Sequence, residues 1–370
     1  MSRAAKFIYR WVRQALTDWT PMPLTPMRHI LDHAAEHGYG MPAFNITNLE
    51  TMRAVLEAAA TTDSPVILQA SQSARKYMDD VFVKHMFAAA VERYPNLPIA
   101  VHQDHGSSVA VCEAAIALGF SSVMMDGSLE ADGKTPASYA YNVDVTQRAV
   151  AAAHKHGVSV EGEIGVLGSL ESGSGEKEDG HGFDGTLSHA ELLTDPVQAA
   201  EFVAATGVDA LAVAIGTSHG AYKFTRRPTG DILAMEVIEA IHRRLPETHL
   251  VMHGASTVPE DLQELINAHG GNIPSTFGVP LEEVERGIRH GVRKINIDTD
   301  IRMAITGSVR KYFADNPGSF DLRAIFKPGV ERTKALCAER FERFGCAGQA
   351  SRIRPLSLSS MAERYASGSP

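Results

Sequence analysis

The nine residues PIAVHQDHG, 98–106, set the terms for the whole chain. An apolar run, Ile99 to Val101, gives way to Gln103, Asp104 and His105 and is then cut by Gly106. A short run with β-branched residues suits a strand buried on both faces, which puts the polar cluster at the rim of a sheet. Taken alone, Asp104 and His105 read as well as the cap of a following helix, since Asp is a favoured N-cap residue. Repetition along the chain decides between the two.

From Met27 onward the same grammar recurs: a short buried run, a polar end, then a helix. The runs are MPAFNI (41–46), PVILQA (65–70), PIAVHQD (98–104), SSVMMD (121–126), VSVEGEI (158–164), DALAVAI (209–215), HLVMH (249–253) and VRKINID (292–298). Between them lie LETMRAVLEAAATT, KHMFAAAVERY, VAVCEAAIALG and NVDVTQRAVAAAHKHG, each with an apolar stripe at spacings of three and four. Strict alternation of strand and helix implies a parallel sheet, and eight strands close a barrel. An open doubly wound sheet usually carries a glycine-rich phosphate turn after its first strand, and Asn45–Asn48 has no glycine. The expected fold is therefore an α/β, single-domain (β/α)8 TIM barrel over residues 27–370 with a C-terminal helical tail.

Composition agrees. The 370 residues are 44% hydrophobic and 21% charged, with no apolar run near the ~20 residues that span a bilayer. A net charge of −9 argues against nucleic acid or acidic lipid as a partner, so an anionic substrate needs a local positive site. Cys112, Cys337 and Cys346 are odd in number and lack metal-knuckle spacing, which fits a reducing, cytoplasmic setting. Residues 1–26 stand apart. Arg3, Lys6, Arg10 and Arg13 precede the first acid, Asp18, so the segment reads as an organelle transit peptide, a partner- or membrane-touching helix, or an upstream start for a chain beginning near Met22 or Met27. The last reading is favoured.

Barrels of this kind carry their chemistry at the C-terminal ends of the strands. Those ends hold Asn45, Ser71, Asp104 with His105, Asp126, Glu163, His219, His253, and Asn296 with Asp298. Of the sixteen histidines, His33, His37, His154 and His242 sit on helices or helix-ending turns, where exposure accounts for them. His105, His219 and His253 instead follow strands three, six and seven and converge on one mouth. Three imidazoles suffice for a catalytic zinc with an open position. They could equally be unrelated rim histidines, since no local metal signature links them.

Four segments, HQDHG (102–106), GTSHGAYKF (216–224), VMHGAST (251–257) and KINIDTDIR (294–302), together with the glycine-rich loop and the ending AGQASRIRP, resemble the class II, metal-dependent fructose-bisphosphate aldolases. The likeness is to the branch found with the Calvin cycle in bacteria, and it runs from about Met27 to Tyr365. It implies an aldehyde-lyase that reversibly cleaves fructose 1,6-bisphosphate to dihydroxyacetone phosphate and glyceraldehyde 3-phosphate, in glycolysis, gluconeogenesis and the Calvin cycle. Sedoheptulose 1,7-bisphosphate is implied as a second substrate. By the resemblance, His105, His219 and His253 hold zinc, which acts as a Lewis acid for the ene-diolate. Asp104 takes the proton of the C4 hydroxyl, which requires a bend at the strand end to aim both Asp104 and His105 inward; Gly106 suits such a bend. Asp126 and Glu163 match either a second metal position or acceptors that orient the imidazoles, the latter favoured.

Phosphate contacts are implied for Gly220, Lys223, Gly254, Ala255 and Ser256, where the family often has serine or glycine in place of Ala255. If that contact is a backbone amide, the departure is harmless. Asn296, Asp298 and Thr299 match positions that orient sugar hydroxyls and phosphate, and Asn45 and Ser71 count with the substrate contacts. Arg302 matches an arginine that reaches the other phosphate across a subunit boundary, so a homodimer or homotetramer is implied; alone, Arg302 reads as a helix-surface charge. The loop 165–189 has seven glycines from Gly165 to Gly185 and reads as a flexible segment or a lid. The family's C3 base lies on it: Glu171 by distance from Glu163, or Glu178 by its local context. The resemblance also leaves room for a second divalent ion and a monovalent cation.

Other functions fit less well. A zinc hydrolase on the same barrel would use Asp104 as base but gives the HGAYK and NIDTD loops no task. A Schiff-base aldolase would need Lys294, which lies early in its strand, away from the mouth. A binding scaffold has no reason to gather Asp104 and three histidines at one end. A tagatose-bisphosphate aldolase would share the zinc and phosphate contacts, so the sequence discriminates poorly between the two.

Overall fold

The computed structural model describes residues 24–130, 132, 135–165, 177–178, 181–182, 192–217, 224, 228, 233–354 and 356–368. Residues 1–23 of the 1–26 extension fall outside them, as do His219, Gly220, Lys223 and Glu171. All eight expected strands are present: β1 Met41–Asn45, β2 Val66–Ser71, β3 Ile99–Gly106, β4 Ser122–Met125, β5 Ser159–Ile164, β6 Ala210–Val213, β7 His249–Met252 and β8 Val292–Ile297. They form one closed barrel in the order β1-β8-β7-β6-β5-β4-β3-β2, every pairing parallel. Helices fall between them where the apolar stripes lie, as at Leu49–Thr62, Asp80–Arg93, Val109–Leu118 and Tyr139–His154. The first of these is opened by a capping box in which the Asn48 side chain accepts from Thr51 N. Two-residue strands Lys177–Glu178 and His181–Gly182 pair outside the barrel.

The strands were expected to be apolar runs, but on their inner face they carry polar side chains two residues apart. Gln69 and Ser71, His102 and Asp104, Glu161 and Glu163, and Lys294 and Asn296 are all buried. Side chains two apart on a strand share a face, so these pairs stack in layers beneath the mouth. The outward positions, such as Val101, Val160 and Ile295, are buried in the apolar shell between strands and helices.

Helix Met27–His37 is held at the opposite, N-terminal end, where Thr25 N donates to Ile99 O (2.9 Å) and Arg28 N to Ser159 Oγ (3.0 Å). Asp209, just before β6, ties this end together. Its buried carboxylate accepts from Arg28 Nη1 (3.0 Å), Tyr365 OH (2.9 Å), His154 Nε2 (3.0 Å) and Val160 N (2.7 Å). His154 is thus not the solvent-facing helix residue its position suggested. The C-terminal helix Leu358–Ser367 folds back and stacks Tyr365 on the imidazole, ring centroids 3.6 Å apart and planes within 2°.

Burial opposes the charge on Asp209, but the hydrogen bond from His154 and the charges around it hold the carboxyl below its usual range. A folded value below the unfolded one contributes stability above about pH 4, lost as pH falls through the folded value. Asp209→Ala should therefore cost about 3 kcal/mol at neutral pH, because it strands all four of these donors at once. Urea unfolding would measure it, and an unchanged midpoint would show that the network is idle.

Candidate active site

Asp104 and His105 are neighbours on β3, yet both belong to the cluster at the mouth. A bulge makes this possible. Gln103 pairs with Val123 and Gly106 with Met125, so β3 spends one residue more than β4. The bend falls on His105, whose φ is +45°, rather than on Gly106 as expected. A left-handed φ on a non-glycine residue is strained and is found where a side chain must be aimed. Gly106 is needed for space instead: a Cβ there would lie 2.5 Å from Met124 O and 2.9 Å from Cys112 Sγ.

The Asp104 carboxylate sits in a cradle of amides. Asn45 Nδ2 (3.0 Å) and Gln69 Nε2 (3.2 Å) donate to Oδ2, and Asn296 Nδ2 (3.3 Å) donates to Oδ1. Burial disfavours its charge, but His105 first, then Lys294 and His253, hold the carboxyl well below the usual range. Asp104 is ionised at neutral pH. From the helix layer, Gln103 donates to Asp104 O (2.7 Å) and accepts from the buried Arg75 (2.5 Å), which fixes the backbone behind the carboxylate.

His105 Nδ1 lies 3.1 Å from Asp126 Oδ2, and the other Asp126 oxygen accepts from Ser128 N (3.2 Å) and Oγ (2.6 Å). Burial alone would lower the His105 pKa, but Asp104 and then Asp126 raise it well above the ordinary value. His253 follows β7 and is wholly buried, edge-on to His105 with centroids 4.8 Å apart. Its Nε2 faces Glu161 Oε1 (2.9 Å), and its Nδ1 faces Glu163 Oε2 (3.8 Å). Thr217 Oγ1 pins the same residue by donating to His253 O (2.7 Å). Burial, then the neighbouring Asp126, raises the Glu163 carboxyl well above its normal range.

Two overlapping sets have donor atoms within 4.8 Å of one another: Asp104, His105 and His253, and His105, Asp126 and Glu163. Glu163 Oε2 is buried and has no hydrogen-bond partner among the described residues. Three carboxylates converge on two imidazoles here, a donor set that suits a divalent cation. Asp126 faces the imidazole of His105 and Glu163 that of His253, and both carboxylates belong to the second of these sets.

Among the described residues, the other expected contacts follow the ends of β2, β7 and β8. Ser71 Oγ caps the helix Gln72–Met78 by accepting from Ala74 N. Gly254 adopts φ +62° directly after His253, and Ala255 and Ser256 are buried, with Ser256 Oγ accepting from Asp298 N (3.3 Å). Thr299 opens the helix Thr299–Asp315. Within this chain Arg302 grips Asp298 with two bonds, Nε to Oδ1 (2.8 Å) and Nη2 to Oδ2 (2.6 Å), rather than standing as a lone surface charge. Glu178 lies in the small two-stranded ladder.

Gln69, Gln103, Arg75, His102, Glu161 and Lys294 were not read as part of the site. The alternation of polar residues within β2, β3, β5 and β8 was the signal that could have found Gln69, His102, Glu161 and Lys294, whereas Arg75, on the helix Gln72–Met78, and the outward-facing Gln103 carry no such signal. His102 is fully buried beside Ser122 Oγ (2.8 Å), and burial, then Lys294, lowers its pKa to about 3, so it is neutral.

Known proteins resemble this chain in sequence and fold. The family described as fructose-bisphosphate aldolase class-II matches residues 25–349. The fructose-bisphosphate aldolase of Nostoc commune is 63% identical over 347 residues, covering 94% of this chain and 97% of that protein. That of Xanthobacter flavus is 60% identical, covering 94% and 98%. Among solved structures, the YdjI aldolase of Escherichia coli K12 superposes with a TM-score of 0.66 at 26% identity, covering 88% of this chain and 99% of that one. The fructose-bisphosphate aldolase of Campylobacter jejuni shares the fold, with a TM-score of 0.63 at 21% identity, covering 86% and 93%.

Proposed function

From the premise that this chain belongs to the class II fructose-bisphosphate aldolase family, we propose that it cleaves fructose 1,6-bisphosphate reversibly to dihydroxyacetone phosphate and glyceraldehyde 3-phosphate. The observation that carries this reading is the convergence of Asp104, His105 and His253 donor atoms within 4.8 Å at the barrel mouth. The family is metal-dependent, and we propose zinc as the metal, held by His105, His253 and the expected third imidazole, His219. When bound, the metal supplies Lewis acidity to the ketose oxygens.

The chain's own groups do the rest. Ionised Asp104, aimed by three amides, takes the proton of the C4 hydroxyl as the C3–C4 bond breaks; C4 becomes the aldehyde and the bonding pair stays on the dihydroxyacetone phosphate half. In condensation Asp104 returns the same proton. Protonation at C3 is assigned to a carboxyl of the glycine-rich loop, Glu171 by its distance from Glu163 or Glu178 by context. Backbone amides at Gly254–Ser256 and Gly220, with Lys223, are proposed to take one phosphate. Asn45, Ser71, Asn296, Asp298, Thr299 and Arg302 are proposed to orient the sugar and the second phosphate. A second divalent ion would draw on Asp126 and Glu163. The Schiff-base alternative is weakened by Lys294, whose Nζ is fully buried and engaged by Glu161 and Asn296.

Self-association to a dimer or tetramer is proposed, supported by Phe320 and Leu322, which are 91% and 66% exposed. A cytoplasmic setting is supported by three buried free thiols. No helix among the described residues is long and apolar enough to cross a membrane.

Purified protein should cleave fructose 1,6-bisphosphate, lose that activity to EDTA and regain it with zinc. Activity that survives EDTA but is trapped by borohydride would move the chemistry to a lysine. Zinc-loaded protein that leaves this substrate intact would shift the assay to tagatose and sedoheptulose bisphosphates.

A further inference from the structure

We propose that Lys294, sealed inside the barrel, is a positioning residue that aims the general base and one metal-ligand imidazole together; the inference rests on the metal-dependent aldolase reading above. Lys294 is fully buried, and a buried ammonium must find partners for its charge and its protons. It finds two. Nζ lies 2.9 Å from Glu161 Oε2 and donates to Asn296 Oδ1 at 2.7 Å.

Each partner reaches one half of the site. Glu161 turns its other oxygen to His253 Nε2 at 2.9 Å. A carboxylate there can only accept, so Nε2 carries the proton and Nδ1, the nitrogen on the Glu163 side, presents its lone pair. Asn296 spends its carbonyl oxygen on Lys294, which fixes the amide so that Nδ2 faces Asp104 Oδ1 (3.3 Å). The Asp104 carboxylate favours the same orientation, so the ammonium and the carboxylate hold the two ends of the Asn296 amide together, and loss of the ammonium leaves its oxygen without that hold. One cation thus braces both the carboxylate that sets the tautomer of His253 and the amide that aims Asp104, two settings that the chemistry needs at the same time. The layered interior makes this possible. Lys294 and Asn296 are two apart on β8, and Glu161 lies one layer below Glu163 on β5.

The test uses full-length protein with Lys294→Met, Glu161→Gln and the double variant. Zinc affinity is read by competition with a chromophoric chelator, cleavage by kcat and KM, and folding by the thermal midpoint. Lys294→Met should weaken zinc and lower kcat, each by about 10- to 100-fold, with KM little changed, as for other groups that orient metal ligands. Losing one partner of a buried ion pair also destabilises, so this variant should melt early. The double variant removes both charges and should regain most of the midpoint. It should not regain kcat or zinc affinity, because a neutral acceptor orients His253 less firmly and Asn296 still lacks its cation.

A double variant that recovers turnover along with its midpoint would reduce Lys294 to a packing role and overturn the proposal. So would Lys294→Met with wild-type kcat and zinc affinity. If Lys294→Met does not fold, the double variant alone decides. A wild-type protein that binds zinc but cleaves no sugar bisphosphate would instead defeat the aldolase reading, and the zinc-affinity arm would still report on Lys294.

Discussion

Asp104→Ala should keep its zinc and lose about 10²- to 10⁴-fold in turnover, the range typical for removal of a positioned general base. Metal retention is expected because His105 and His253 are oriented from elsewhere. His105 leans on Asp126 and His253 on Glu161, and neither contact passes through Asp104. Asp104 is instead the endpoint of donors that do nothing else for the metal: Asn45, Gln69 and Asn296. Such a cradle keeps the carboxylate ionised and aimed, which a base for the C4 hydroxyl requires. If the interaction is realised only during bond breaking, kcat and kcat/KM should fall together while KM stays nearly constant. Metal analysis of the purified variant alongside steady-state kinetics would check both halves. Loss of zinc with turnover would make Asp104 a ligand or a structural anion, and the base would have to be sought on the glycine-rich loop.

Much of this arrangement was legible in the order of residues. Strand and helix periods differ, and almost every strand here is a short buried run that ends abruptly in a ligand-type residue, so the eight-fold repeat and its chemical end could be read directly. What could not be read was anything set by backbone detail or distant contact. The +45° φ of His105 depends on a register slip against β4, which no local pattern announces; the bend was expected at Gly106 because glycine is the usual residue for one. Lys294 was judged by its distance from the strand end, but a long side chain reaches upward inside a barrel and meets Glu161 from across the sheet. His154 looked exposed because its partners lie 55 and more residues away in sequence, at Asp209 and Tyr365. The polar interior was missed for a further reason. Glu161, His102 and Gln69 sit inside runs whose apolar neighbours point to the helices, and a reading that scores the run as a whole averages the two faces.

His253→Ala should abolish measurable zinc binding at micromolar metal and take turnover with it, a larger effect than any change to its supporting residues, which cost about 10- to 100-fold. The contrast with His102 makes the prediction specific. Both imidazoles are wholly buried in the same barrel, and both lie near Glu161, at 2.9 Å from His253 and 3.5 Å from His102. Either truncation opens a cavity and removes a polar group, so both variants should lose a similar amount of stability, about 2–4 kcal/mol. They differ in where the rings point. His253 turns Nδ1 toward Glu163 and sits edge-on to His105, whereas His102 turns Nδ1 to Ser122 Oγ, a layer below the mouth. His102→Ala should therefore melt early yet still load zinc, and the loaded fraction should turn over substrate. Equal loss of zinc in the two variants at a temperature where both are folded would mean that the metal depends on the integrity of the whole polar interior, and His253 would then have no claim as a ligand beyond its neighbours.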